Sequence, residues 1–176
     1  EYFGLSKPPF RITPDTHVFF EGSDRGPTLN ALIYAIGNGE GIIKVVGEVG
    51  TGKTMLCRML PTKFNSNIDW VYLAHPSLSP DQILQEVARE LGLEIGPYPD
   101  KLLVMRQLQT TLLARYADNR RVVVLVEEAQ EMPLETLEEL RLLSNLETDE
   151  HKLLQIVLFG QPELDENLAA RKIRQL

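Results

Sequence analysis

The 176-residue sequence holds a single cysteine, Cys57, and three histidines. One thiol cannot form an internal disulfide or a multi-cysteine zinc site, so a stapled secreted scaffold is excluded and a reducing, intracellular setting is expected. His17, His75 and His151 are too scattered to suggest a metal cluster. Long apolar runs are also missing. No stretch approaches the roughly 20 residues of a membrane-spanning helix. The uncharged residues 26–39 carry Pro27, Asn30, Gly37 and Asn38 and read as an amphipathic helix. Basic charge is in deficit, with 18 Lys and Arg against 25 Asp and Glu and a net charge of −7. With no Lys/Arg cluster either, strong nucleic-acid binding is not expected. Repeats, low-complexity segments and a signal-peptide pattern are absent, and a chain opening on Glu1 reads as a fragment of a longer protein. What is there is globular: 43% hydrophobic and 24% charged residues, enough for one domain with its own core.

Residues 1–24 are rich in aromatics and prolines and read as an irregular strap, because proline interrupts regular hydrogen bonding. The nucleotide-binding core is assigned to residues 25–176. Leu29, Leu32, Ile33 and Ile36 recur at helical spacing behind Pro27, with Gly37 and Gly39 as the stop. Residues 42–46 are an apolar run consistent with a buried strand, and 69–74 form a second strand candidate. Ser79, Pro80 and Gln82 have the form of a capping box opening a helix that Gly92 ends. Asp100 caps a further helix running to about Tyr116. Residues 121–126 predict a third strand, 133–146 a leucine-faced helix and 153–159 a fourth strand, after which a turn at 160–162 leads into a last helix. Strands alternating with helices imply an α/β fold: a parallel sheet covered on both faces.

Between the first strand and the helix starting near Lys53, residues 47–54 read Gly-Glu-Val-Gly-Thr-Gly-Lys-Thr and match G-x-x-x-x-G-K-[ST] at every defined position. Glycines let the backbone curl so that successive N–H groups converge on phosphate oxygens, and the next helix aims its positive end at the same place. The nucleotide-binding residues are therefore Gly47, Glu48, Val49, Gly50, Thr51, Gly52, Lys53, Thr54 and Met55. Lys53 reaches the β- and γ-phosphates, and the Thr54 hydroxyl holds Mg²⁺. No Asn-Lys-x-Asp guanine reader is present, which favours ATP over GTP.

The run Val122-Val123-Val124-Leu125-Val126 ends in Glu127-Glu128. Two carboxylates at the tip of a buried strand near a phosphate loop divide the work: Glu127 orders the Mg²⁺ shell and Glu128 polarises the attacking water. The first position is normally Asp. The extra methylene of Glu127 displaces the metal shell, so slow turnover with intact binding is expected.

Taken together, Phe3-Gly4-Leu5, Pro9-Phe10 and Thr13-Pro14-Asp15, the loop 47–54, Glu127-Glu128-Ala129-Gln130, residues 137–148 and Gly160-Gln161-Pro162-Glu163-Leu164 carry a resemblance over nearly the whole chain. The sequence resembles the AAA+ ATPases of the general secretion pathway protein A (ExeA-like) and MSHA pilus biogenesis (MshM-like) group. The resemblance implies a P-loop three-layer αβα sandwich with the fourth strand inserted between the first and third, here stopping before a fifth strand and a helical lid. It implies a bacterial cytoplasmic ATPase, peripheral to or anchored in the inner membrane in the full-length protein. Its partners would be neighbouring subunits of a homo-oligomer and secretion or pilus assembly proteins.

Residue roles follow from the same resemblance. Gln161 matches a polar sensor facing the γ-phosphate. His75 stands where relatives commonly have Asn, and is either a restraint on Glu128 or a surface imidazole. Arg171 and Arg174 lie where an arginine finger is expected, or form a solvated basic helix end. The adenine is expected against the strap near residues 8–14, and Cys57 is read as a helix residue packed on the sheet. Three function classes stand beside one another: an ATP-hydrolysing assembly factor, a DNA-handling ATPase of the transposition target-selection type, and a weakly hydrolysing nucleotide switch.

Overall fold

The computed structural model describes residues 25–75, 77–149 and 151–169. The strap, Arg171 and Arg174 lie outside the described residues. Strands β1 (Ile42–Val46), β2 (Ile68–Leu73), β3 (Arg121–Val126) and β4 (Leu154–Gly160) form one parallel sheet in the order β1-β4-β3-β2. The fourth strand lies between the first and third, as expected. Parallel neighbours require crossovers, and α2 (Lys53–Met59), α3 (Pro80–Glu90), α4 (Lys101–Ala117) and α5 (Leu134–Ser144) supply them, while among the described residues α1 (Arg25–Gly37) precedes the first strand and α6 (Glu163–Ala169) follows the last.

Alternation along β3 explains the three layers. Val122, Val124 and Val126 enter the core shared with α3, α4 and α5, while Val123 and Leu125 enter the one shared with α1 and α2. A strand buried on both faces has no polar side, which is why its sequence is a continuous apolar run. Phe159 and Val157 on β4 face α1 and α2, and Leu154, Ile156 and Leu158 face the opposite way.

Local signals in the sequence hold at the helix ends. Ser79 and Gln82 close a reciprocal capping box on α3, Gly92 takes a left-handed φ of 86° beyond its end, and Asp100 accepts the Leu103 N–H at 2.9 Å to start α4. Two expectations need correction. Among the described residues the run 42–46 lies at the edge of the sheet, and its Lys44 is exposed and pairs with Asp165 of α6, so it is not buried on both faces. Helix α5 ends at Ser144, two residues short of Leu146. Past Met59 the chain tightens into a 3₁₀ turn, Leu60–Lys63, because Pro61 has no N–H to continue the α-helical ladder.

Register positions the site. Val126 of β3 lies opposite Leu158 of β4, and Val46 of β1 lies opposite Gly160. The carboxyl ends of β1, β3 and β4 therefore sit side by side, and the segments 47–52, 127–131 and 161–162 meet there. The order reverses direction at this place, where open α/β sheets bind their ligands.

Candidate functional site

Val46 leads into the loop, and Gly50 and Gly52 adopt φ of 80° and 94°, left-handed values that side chains disfavour. The carbonyl of Glu48 accepts both the Thr51 N–H, at 3.3 Å, and the Thr51 hydroxyl, at 2.8 Å. Lys53, the first residue of α2, folds back so that its Nζ donates to Gly47 O at 2.6 Å and Glu48 O at 2.9 Å. The loop's base is tied to the sheet by the Gly47 N–H, which donates to Gly160 O at 3.1 Å. Val49 at the tip is 77% exposed and touches no core.

Between the loop and the start of α1 lies a cavity of about 220 Å³, lined by Arg25, Thr28, Val45, Gly47, Lys53 and Leu56, among others. Arg25 closes one wall: its Nε donates to Thr51 O at 3.2 Å, and its guanidinium lies over Gly52. The sequence reading assigned no role to Arg25 or Thr28. They precede the loop by some twenty residues, so no local motif links them to it.

Thr54 on α2 and Glu127 at the end of β3 converge, the hydroxyl donating to Glu127 Oε2 at 3.5 Å. The other oxygen, Oε1, is buried and has no hydrogen-bond partner. A buried carboxylate oxygen left unpaired is costly unless a cation or its bound water reaches it. A hydroxyl and a carboxylate are oxygen donors of the kind Mg²⁺ prefers, so this pair fits the implied ion. Glu127 also marks its neighbours: burial, and next this carboxylate, raise both the Cys57 thiol and the Tyr72 hydroxyl above their ordinary ranges. Cys57 is fully buried in the core on the α1–α2 face, in keeping with a packing role.

Glu128 follows with φ 49° and ψ 41°, a left-handed backbone on a non-glycine residue. Its Oε2 accepts from Gln130 Nε2 at 2.8 Å and from Gln161 Nε2 at 3.3 Å. The Gln130 hydrogen bond, with smaller help from Gln161 and the Lys53 charge, holds the carboxyl below the usual range against the opposing effect of burial. It is therefore ionised at neutral pH. Gln161 does meet Glu128 at the end of β4. His75 is exposed beyond β2, and the side chains that donate to Glu128 are those of Gln130 and Gln161. Gln130 stood within the resembling segment but carried no assigned role, and only the fold shows its contacts. Among the described residues no cluster of three metal-ligating side chains is present, and no helix is long and apolar enough to cross a membrane.

The AAA domain family model matches residues 36–168. General secretion pathway protein A of Aeromonas hydrophila is 41% identical over all of this chain, which corresponds to 32% of that protein. The Mu-like prophage FluMu DNA transposition protein B of Haemophilus influenzae is 35% identical over 100 residues, 56% of this chain and 32% of that protein. The chain thus spans about a third of the length of the curated relatives it matches. Among solved structures, Cdc6p of Pyrobaculum aerophilum aligns with a TM-score of 0.69 at 19% identity, covering 92% of this chain and 46% of that one. The Aeropyrum pernix ORC2 protein, in its ADPNP–ADP complexes, aligns with a TM-score of 0.56 at 20% identity, covering 85% and 44%. At such identities the likeness concerns the fold.

Proposed function

This chain belongs to the AAA domain family, and on that premise we propose that it binds ATP with Mg²⁺ and hydrolyses it to drive assembly or secretion at a bacterial inner membrane. The observation that carries the reading is the convergence of Thr54 and Glu127 beside the phosphate loop, with Glu127 Oε1 buried and unpaired. Lys53 binds the β- and γ-phosphates, exchanging the Gly47 and Glu48 carbonyls for phosphate oxygens. Thr54 and Glu127 hold Mg²⁺, which when bound neutralises phosphate charge. Glu128 accepts the proton of the attacking water, and Gln161 stands beside it as a donor toward the transferred phosphate. The secretion role is supported by the 41% identity across the whole chain to general secretion pathway protein A.

The test is ATP hydrolysis against protein concentration, with Lys53→Ala as the blank. Specific activity that rises with concentration supports an oligomer whose subunits complete one another's sites. Turnover that never exceeds the blank, with Mg-ATP still bound tightly, moves the reading to a nucleotide switch.

A second reading, a DNA-handling ATPase, is favoured by the 100-residue match to a DNA transposition protein. The acidic balance of −7 weighs against it. Hydrolysis stimulated by duplex DNA in a salt-dependent way would establish it over the first.

A further inference from the structure

Gln130 makes three contacts, each with a different segment. Its Nε2 donates to Glu128 Oε2 at 2.8 Å, and its Oε1 accepts the backbone N–H of Gln161 at 3.0 Å. Its own carbonyl accepts from Asn167 Nδ2 on α6 at 2.9 Å. We propose that Gln130 is the positioning residue for Glu128, fixing the carboxylate by Oε2 so that Oε1 is left to take the water's proton, and that Asn167 links this hold to α6. The proposal rests on the hydrolysis reading and adds to it the residue that aims its general base.

The amide can sit only one way round. Flipped, it would set a donor against the Gln161 N–H and an acceptor against the carboxylate, losing both bonds. Gln161 reaches the same Oε2 from 3.3 Å, so the shorter bond from Gln130 is the stronger tie. Glu128 needs such a tie, because a left-handed backbone on a glutamate persists only where its surroundings hold it. Room for the tie comes from Gly160. A Cβ there would lie 2.8 Å from Leu164 Cδ2 and 3.2 Å from Gln130 Oε1, so a side chain would force Leu164 to shift and crowd the Gln130 amide.

Steady-state hydrolysis of Mg-ATP, binding of a fluorescent ATP analogue and thermal melting are measured on the intact chain for wild type, Gln130→Met, Gln130→Glu and Asn167→Ala. Gln130→Met keeps the length and loses both side-chain bonds. Gln130→Glu keeps an acceptor for the Gln161 N–H but faces Glu128 with a second carboxylate. Both should lower kcat roughly tenfold to a hundredfold while KM and analogue affinity stay within about twofold, the split expected when orientation alone is lost. Asn167→Ala should lower kcat about threefold; no effect there removes the α6 link. Unchanged kcat in both Gln130 variants overturns the proposal, as does a parallel loss of kcat, affinity and melting temperature, which marks a structural brace. A rise in kcat overturns it as well, since Gln130 would then restrain Glu128. Wild-type turnover no higher than Lys53→Ala overturns the hydrolysis reading itself, an outcome distinct from robust turnover that ignores Gln130.

Discussion

The Thr54 hydroxyl and Glu127 Oε2 lie 3.5 Å apart, although 73 residues separate them in the chain. One belongs to the helix after β1 and the other to the end of β3, with β4 lying between these strands. That meeting turns a loop motif and an acidic pair into one site.

Glu127→Asp should raise turnover about threefold to tenfold, because a metal-holding carboxylate misplaced by one methylene costs on the order of 1 kcal/mol in the transition state. Initial rates at saturating Mg-ATP, with a Mg²⁺ titration, check this. Equal or lower turnover would show that this site is built for the longer side chain.

Glu128→Gln keeps the shape and removes the carboxylate proposed as the base. Hydrolysis should fall by about a hundredfold or more while ATP affinity stays nearly constant. Phosphate release beside an equilibrium binding assay separates the two, and activity retained within a few-fold would assign the base to another group.

In the scaffold, Leu125 is 2% exposed near the carboxyl end of β3, whereas Ser79 caps α3 at the surface. Leu125→Ala should cost about 2–5 kcal/mol and Ser79→Ala about 0.5–2 kcal/mol by urea denaturation. The reverse ranking would contradict the burial of β3 on both faces.

Acid stability should depend on the surface pair Glu138–Arg141. The guanidinium donates to both Glu138 oxygens, at 2.9 and 2.7 Å, and holds that carboxyl below its usual range. A carboxyl lowered by folding stabilises the protein above its unfolded pKa and loses that contribution as pH falls through the folded one. Below about pH 4.3 the wild type should therefore lose stability more steeply than Glu138→Gln, with the gap closing once the wild-type Glu138 is protonated. Melting temperature measured from pH 6 to pH 2.5 checks this, and parallel curves would deny the pair a role.

Sequence alone determined what depends on neighbours along the chain. Glycines at 50 and 52 mark left-handed backbone, Ser79 and Asp100 mark helix starts, and a valine run marks a strand covered on both faces. Each is a statement about backbone torsion, capping or burial within a few residues, so each is legible locally. The phosphate loop, Glu127 and Glu128 were readable for the same reason.

Tertiary structure alone decided which of these parts meet. The run 42–46 gives no sign that it lies at the edge of the described sheet, because strand order is set by crossovers and not by composition. Nor does the sequence tell that Gln130 bonds both the Glu128 carboxylate and the Gln161 N–H, since that turns on where a side chain 31 residues from Gln161 arrives in space. Arg25 reached the loop in the same way, across a helix and a strand. Hydrogen bonds form over about 3 Å and depend on direction, and a sequence contains neither quantity until the sheet has been assembled.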